Sequence, residues 1–157
     1  EAIDFARFYS LSAENLNKES SAVGVVVIAP PWNFPYAIPM GGIVAALVSG
    51  NSVIFKPAPE TVLIGWELVN QLWKAGVPKS VLHFLPTEDN EVGKYLITHK
   101  DVDTVVLTGS YETALLFKKW KPSLRLLAET NGKNSIILNL VMHIWHMQFF
   151  QRFLTKN

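Results

Sequence analysis

The stretch VGVVVIAPPWNFPYAIP, residues 23–39, decides how the rest of the sequence is interpreted. It begins with an uninterrupted apolar run, residues 23–28, which predicts a strand buried on both faces. Pro30 and Pro31 end that strand, because proline carries no amide hydrogen for the ladder. Pro39 suits the first turn of a helix, where a missing amide costs no hydrogen bond. The stretch therefore predicts a central strand, a stiff loop and the start of a helix.

The loop between this strand and this helix carries one amide side chain, Asn33, between Trp32 and Phe34. In an open α/β sheet, ligands bind outside the carboxyl ends of the strands, where this loop would lie. The Asn33 amide can donate a hydrogen bond to an oxygen that gains negative charge during a reaction. The plainer alternative is a proline-stiffened turn with a buried tryptophan, and residue chemistry leaves both interpretations open.

The composition is that of one globular domain. The 157 residues are 49% hydrophobic and 17% charged, which favours a buried core over disorder. The net charge of +1 gives no reason to expect nucleic acid or an acidic membrane surface as a partner. There is no cysteine, which excludes disulfides, thiolate metal sites and thiol nucleophiles within these residues. Residues 1–20 are polar and acidic, unlike a signal peptide, so we expect a cytoplasmic protein.

Strand and helix patterns alternate at short intervals along the chain. This alternation predicts an α/β fold with a Rossmann-like, doubly wound parallel sheet. The first predicted helix starts at Glu1, with apolar residues at helical spacing as far as Leu11, and the others cover residues 38–49, 61–75, 91–99 and 111–120. The predicted strands cover residues 23–28, 52–55, 81–85, 104–107 and 124–128, with residues 134–138 as a candidate sixth. Gly50 and Gly76 are expected to end helices, and Thr61 to cap one.

The character of the sequence changes at Asn139. Residues 139–154, NLVMHIWHMQFFQRFL, are apolar around most of a helix, with too many polar interruptions for a membrane span. We therefore divide the chain into a folded segment, residues 1–138, and an apolar tail, residues 139–157. The tail is expected to pack against a partner chain or a second copy, or to be an exposed, aggregation-prone end. His143 and His146 share a helical face, but no third ligand is near and we expect no metal site.

Three further polar side chains stand at predicted strand ends. Lys56 suits ribose hydroxyls or a phosphate, with a solvated lysine as the plain alternative. Ser110, after Gly109, suits a phosphate at a helix start, and a simple N-cap explains it equally well. Glu129 lies beside an apolar strand, so we expect it to be partly buried and usable as a base, or else paired with Lys133.

Together these residues resemble the aldehyde dehydrogenase superfamily. The motifs PPWNFP, KPAPET, LTGS and AETNGK stand in the family's order and at about its spacing. The segment GSYETALLFKKWKPSLRLLAETNGKNSIIL is most similar to L-glutamate γ-semialdehyde dehydrogenases, also called 1-pyrroline-5-carboxylate dehydrogenases, including those fused to proline dehydrogenase. The resemblance extends from the first helix to about Leu138.

The resemblance implies an enzyme that uses NAD, with NADP as the alternative. In this family a cysteine thiolate attacks the aldehyde, hydride passes to the nicotinamide, and water hydrolyses the resulting thioester. By the match of motifs, Asn33 is the oxyanion-hole amide and Glu129 is the general base that activates water.

The same resemblance implies which residues contact the cofactor. Lys56 matches the lysine at the adenosine ribose, and Gly109 with Ser110 matches the turn at the pyrophosphate. Pro31 and Trp32 would line the cofactor cleft.

A few positions depart from the family pattern. Pro59 stands where many members have a ribose-binding glutamate, and Glu60 comes one place too late to replace it simply. Ala114 replaces a common glycine. Asn131 also replaces a glycine, but asparagine tolerates the left-handed backbone that such a turn needs.

The family's nucleophilic cysteine follows the glutamate motif, and these 157 residues contain none. We therefore expect a truncated cofactor-binding segment that is inert toward aldehydes by itself. Two other interpretations stay open: a non-catalytic nucleotide-binding module, and an interaction protein that uses its apolar tail.

Overall fold

The computed structural model of the chain describes residues 1–16 and 20–132. Five strands form one parallel sheet in the order β3-β2-β1-β4-β5. The strands are β1 (Val25–Ala29), β2 (Ser52–Phe55), β3 (Leu82–Phe84), β4 (Thr104–Gly109) and β5 (Arg125–Thr130). The predicted α/β fold with a parallel sheet is confirmed.

Five α-helices connect and cover these strands. They are α1 (Ala2–Glu14), α2 (Ala37–Val48), α3 (Val62–Lys74), α4 (Glu91–Thr98) and α5 (Tyr111–Trp120), with a short 3₁₀ helix at Pro59–Thr61. The bounds predicted for α5 are those observed, and most other elements differ at their ends by one to three residues. Within the described ranges, no helix combines the length and the apolar character that a membrane crossing requires. The candidate sixth strand and the apolar tail lie outside the described residues.

The strand β1 is hidden on both faces, as its apolar run predicts. It pairs with β2 along one edge and with β4 along the other. Val26, Val27 and Ile28 are at most 3% exposed, although successive side chains point to opposite faces of the sheet. The predicted strand at the centre of the sheet is therefore confirmed.

Two separate cores form because side chains along β1 alternate between the faces. Val26 and Ile28 pack in a core with residues of α2 and α3. Val27 and Ala29 pack in a second core with residues of α4 and α5. Helices therefore cover both faces of the sheet, which makes it doubly wound.

The helix ends predicted at Gly50 and Gly76 are confirmed, and the side-chain cap predicted at Thr61 is not observed. Gly50 after α2 and Gly76 after α3 have positive φ angles of 82° and 106°, the backbone conformation that glycine supplies at a helix end. The predicted side-chain cap at Thr61 is wrong. Its hydroxyl donates to the carbonyl of Ala58 at 3.1 Å and makes no capping bond to α3, because the 3₁₀ turn directs it backwards.

Asn51 ties the end of α2 to the start of β1. The Asn51 Oδ1 atom accepts the amide hydrogens of Val23 and Gly24 at 2.7 and 3.1 Å. Its Nδ2 atom donates to the carbonyl of Ala46 at 3.1 Å, and the residue is buried. These three bonds go to backbone groups that lie outside the hydrogen-bond ladders of the sheet: the amides of Val23 and Gly24 and the carbonyl of Ala46.

We expect Asn51→Ala to lower the free energy of unfolding by about 1–2 kcal/mol, since truncation leaves the amides of Val23 and Gly24 without their partly buried acceptor. Urea denaturation followed by circular dichroism measures this. Asn15→Ala is the matched control, because the exposed Asn15 side chain donates one bond, to the carbonyl of Leu11. A loss at Asn51 no larger than at Asn15 would contradict the account.

Candidate functional site: a cleft at the strand ends

The cleft opens where the strand order reverses. From β1 the chain proceeds to β2 and β3 on one side, then returns to β4 on the other side of β1. In such sheets the loops at the carboxyl ends diverge at this point and leave a crevice. Here the crevice has a volume of about 820 Å³.

The structure brings all of the sequence-predicted site residues to this one cleft. Its lining includes Pro31, Trp32, Asn33, Lys56, Gly109, Ser110 and Glu129. These residues come from four loops or strand ends that are far apart in the sequence. Their chemical roles remain predictions, while their common location is a property of the fold.

The ladder register determines how these side chains are arranged. The amide of Lys56 donates to the carbonyl of Ile28 at 3.0 Å, so Lys56 leaves β2 beside the end of β1. On the other side of β1, Thr108 pairs with Glu129 and Gly109 with Thr130. The ends of β4 and β5 therefore place Glu129 beside the turn that holds Ser110.

The loop after β1 lines the cleft with Pro31, Trp32 and Asn33, and its aromatic rings are exposed. Trp32 is 65% exposed and Phe34 is 51% exposed. The alternative of a turn around a buried tryptophan is therefore wrong, because the two prolines carry the loop beyond the last residues of the ladder. Asn33 lies between these rings and is also exposed.

Lys56 is buried, which overturns the alternative of a solvated lysine. The residue is 7% exposed, and its Nζ atom donates to Asp89 Oδ1 at 2.7 Å. A methyl group at Gly93 would lie 3.7 Å from Lys56 Cε and 2.7 Å from the carbonyl oxygen of Glu88. The absence of a side chain at Gly93 thus lets the loop before α4 pack closely against that helix, whereas the contact to Lys56 would be an ordinary one.

Asp89 is a lining residue that the sequence reasoning missed. It follows β3 in the polar run TEDN, directly before α4. Acidic residues at the end of a predicted strand were the available signal, but only the fold shows that this loop reaches Lys56. Asp89 itself remains open to solvent, with 74% of its side chain exposed.

Ser110 caps α5. Its Oγ atom accepts the amide hydrogen of Thr113 at 3.1 Å, so the plain N-cap interpretation is confirmed while a phosphate contact stays a prediction. At Gly109 an added Cβ would make only an ordinary contact with Leu107, at 3.6 Å. Apart from Leu107, no described side chain lies within 4 Å of that position, so the space beside this glycine is open to a ligand.

Glu129 is exposed, so the expectation of partial burial is wrong. Within the described residues, β5 pairs with β4 alone and packs little on either face, which leaves the carboxylate open to the cleft. The alternative pairing with Lys133 lies outside the described residues. The turn that follows agrees with the sequence, because Asn131 has a φ angle of +31°.

Two features complete the lining. The 3₁₀ turn Pro59–Thr61 brings Glu60 into the cleft, although it stands one place after the family's glutamate position. A second cavity of about 150 Å³ shares Lys56, Asp89, Thr113 and Phe117 with the cleft. Its other walls are mainly apolar side chains of α4 and α5: Ile97, Leu116 and Trp120.

The described ranges contain no group of three or more histidine, cysteine, aspartate or glutamate side chains arranged to hold a metal ion. His143 and His146 lie outside these ranges.

Comparison with known proteins identifies similar sequences. The model of the aldehyde dehydrogenase family matches residues 1–144. The 1-pyrroline-5-carboxylate dehydrogenase of Staphylococcus aureus (strain JH1) is 36% identical over 161 aligned positions. That alignment covers 88% of this chain and 31% of the relative, so the chain spans about a third of the length of the curated relatives it matches.

Solved structures show the same fold. Proline Utilization A (PutA) from Corynebacterium freiburgense is 44% identical with a TM-score of 0.81, over 85% of this chain and 14% of that one. The NADP-dependent glyceraldehyde-3-phosphate dehydrogenase from Bacillus halodurans C-125, complexed with NADP, is 26% identical with a TM-score of 0.79. This second match covers 85% of this chain and 32% of that one.

Replacement of Ser110 by two residues tests its role as a cap. Ser110→Ala should cost about 1 kcal/mol of unfolding free energy, whereas Ser110→Gly should cost only a few tenths, since glycine is tolerated at N-caps. Urea denaturation of both variants measures the difference. Equal losses for alanine and glycine would show that the serine does not act as a cap.

Proposed function

This chain belongs to the aldehyde dehydrogenase family, and we propose that its residues 1–138 are the dinucleotide-binding segment of a 1-pyrroline-5-carboxylate dehydrogenase of proline catabolism. The observation that carries the proposal is the convergence of seven family-matched residues on one cleft at the switch point of the sheet. The names of the similar proteins, a 1-pyrroline-5-carboxylate dehydrogenase and PutA, support the substrate class. The aldehyde would then be L-glutamate γ-semialdehyde.

The cleft suits NAD or NADP in size and in the types of donor it offers. Its volume of about 820 Å³ lies within the range of about 300–1,000 Å³ that is usual for ligand sites. We assign the pyrophosphate to the start of α5, where amide groups point outward and the space beside Gly109 is open. The Ser110 hydroxyl stands at the same turn and can donate to a phosphate oxygen while it accepts from Thr113.

The adenosine half of the cofactor is assigned to the other side of the cleft. Lys56 has three ammonium donors, of which one is taken by Asp89, so two remain for ribose hydroxyls. The apolar cavity between α4 and α5 adjoins this lysine and is walled by Phe117 and Trp120, which suits a flat heteroaromatic base. Pro31 and Trp32 also line the cleft.

Two residues of the chain are assigned to the aldehyde chemistry. Asn33 extends an amide into the cleft from a loop stiffened by prolines, so it can donate to an oxyanion with little reorganisation. The exposure of Glu129 suits a base that takes a proton from water, because such a carboxylate must be reached by solvent. When bound, the cofactor supplies the hydride acceptor. A thiolate for the aldehyde would come from outside these 157 residues, which contain no cysteine.

A second candidate function is a nucleotide-binding module without catalysis. The lack of a thiol favours it, because no covalent intermediate can form on these residues. The cleft would then bind a dinucleotide and catalyse no reaction. The third interpretation, an interaction through residues 139–154, concerns a segment outside the described residues.

Calorimetric titration of the folded chain with NADH tests dinucleotide binding. We expect weak but measurable affinity, and Ser110→Gly should reduce it about fivefold, the equivalent of about 1 kcal/mol for one hydrogen bond. This variant removes the hydroxyl and retains most of the capping preference. Ser123→Gly, an exposed serine before β5 and away from the cleft, is the control and should bind as the wild type does. Absence of binding of either NADH or NADPH at millimolar ligand would remove the proposal.

The 157-residue chain should not oxidise L-glutamate γ-semialdehyde at an enzymatic rate, because it holds no thiol to form the covalent intermediate. Formation of NADH by highly purified protein measures this, with Glu129→Gln assayed beside it. A turnover of about 1 per second that is lost in Glu129→Gln would contradict the expectation, since that is ordinary enzymatic speed.

A further inference from the structure

The turn after β5 contains the only asparagine of the chain that a glycine follows, Asn131 before Gly132. Both residues are exposed, and both line the cleft. Asn131 stands where the aldehyde dehydrogenase pattern has a glycine, so the proposed function assigns no role to its side chain. Its amide is therefore a functional group in the cleft that the aldehyde chemistry leaves unused.

An asparagine side chain can react with the backbone amide of the next residue. The amide nitrogen attacks the side-chain carbon Cγ, and a new C–N bond forms while the bond between Cγ and Nδ2 breaks. Ammonia leaves with the proton that the attacking nitrogen gives up, and the product is a cyclic imide. Water then opens the imide at one of its two carbonyls, which yields aspartate or isoaspartate. The reaction consumes water alone, so it requires no oxidant, reductant or cofactor.

The surroundings of Gly132 leave its amide nitrogen accessible. A Cβ atom placed on Gly132 would have no described heavy atom within 4 Å beyond its chain neighbours. Glycine also permits the backbone rotation that closing the ring requires. Neither the residue itself nor the described structure around it therefore obstructs an attack on Asn131 Cγ.

Other asparagines lack this combination. Asn33 is exposed in the same cleft, but the side chain of Phe34 follows it and hinders the attacking amide. Asn51 is buried, and its side chain makes three hydrogen bonds. The side chain of Asn90 both accepts and donates a hydrogen bond at the start of α4. We therefore expect the reaction at Asn131 before any of these three.

We propose that Asn131 is a site of spontaneous modification, at which attack by the Gly132 amide converts the asparagine into aspartate or isoaspartate. Asparagine and aspartate both tolerate the left-handed backbone, so the aspartate product can keep the turn, where φ is +31°. Isoaspartate instead adds one carbon atom to the backbone and changes the turn.

Either product adds a carboxylate to a cleft that is already acidic. Among the described lining residues, one side chain is basic, and the acidic ones are Glu60, Asp89 and Glu129. Thr130 pairs with Gly109 at the ends of β5 and β4, so the new charge arises directly beyond this pair. The modification thus places a negative charge near the start of α5, where the proposed function puts the pyrophosphate.

Incubation of the full chain in mildly alkaline buffer, followed by peptide mass spectrometry, tests the proposal. The peptide 126–133, which trypsin releases, contains Asn131 as its single asparagine. It should gain the mass of an amide-to-acid conversion and separate into aspartate and isoaspartate forms, while the peptide with Asn33 stays unchanged. A sample digested before the incubation corrects for changes during digestion.

Gly132→Ala is the matched variant. The φ angle of Gly132 lies outside the left-handed region and a Cβ there has open space, so alanine should leave the fold intact, which circular dichroism checks. The added Cβ hinders the attacking amide and should slow the modification of Asn131 about tenfold.

An isolated peptide of residues 126–133 is the reference for the reaction without the fold, and it keeps the proposal testable if Gly132→Ala does not fold. Three results would overturn the proposal: an unchanged Asn131 in the folded chain after the isolated peptide has been converted, modification of Asn33 before Asn131, or equal rates in the wild type and a folded Gly132→Ala.

The effect of the modification on the cleft rests on the proposed function. Asn131→Asp introduces the charge of the product alone and should weaken the binding of NADH about threefold at low salt. Asn15→Asp makes the same change of charge at the end of α1, outside the cleft lining, and should bind as the freshly purified wild type does. Equal binding by Asn131→Asp and the wild type would overturn the effect on the cleft. A folded wild type that binds no NADH would overturn the proposed function and leave the modification site intact, because the mass spectrometry requires no ligand.

Discussion

The strand β1 is packed on both faces and paired on both edges, and this constraint places the other elements. Since β2 and β4 occupy its two edges, the chain has to cross β1 to continue the sheet, and the loops at the carboxyl ends separate at that crossing. Pro30 and Pro31 then prevent β1 from extending into the gap, because neither can donate to a ladder. A fully buried strand followed by two prolines thus produces both the core and an open cleft beside it.

Much of this arrangement could be predicted from the sequence. The apolar runs and the glycine positions carry local information, so they predict the strands, the helices, the helix ends at Gly50 and Gly76 and the turn at Asn131. The carboxyl ends of parallel strands also lie along one edge of a sheet, so the positions of Asn33, Lys56 and Ser110 at predicted strand ends place them at that edge. Dinucleotide binding and the substrate remain proposals, because they concern what fills the cleft.

What could not be predicted depends on contacts between distant parts of the chain. Lys56 resembles a solvated lysine in the sequence, and its burial accompanies a hydrogen bond to Asp89 in the loop before α4, 33 positions away. Glu129 resembles a half-buried carboxylate beside an apolar strand, yet β5 contributes few buried side chains to either core. Asn51 likewise gave no sign that it bonds the start of β1, since its partners lie 27 and 28 positions away.

The separation in sequence across β1 has a consequence for the order of folding. Gly24 and Asn51, on one side, are 27 positions apart, whereas Val25 and Asp103, on the other, are 78 apart. Closing the longer loop costs about 1 kcal/mol more in chain entropy, so the unit of β1, α2 and β2 forms more easily than its junction with β4. An early intermediate built from that unit has no cleft. A nucleotide that binds the finished cleft would then stabilise the late docking step by mass action, and the folding equilibrium would depend on the ligand concentration.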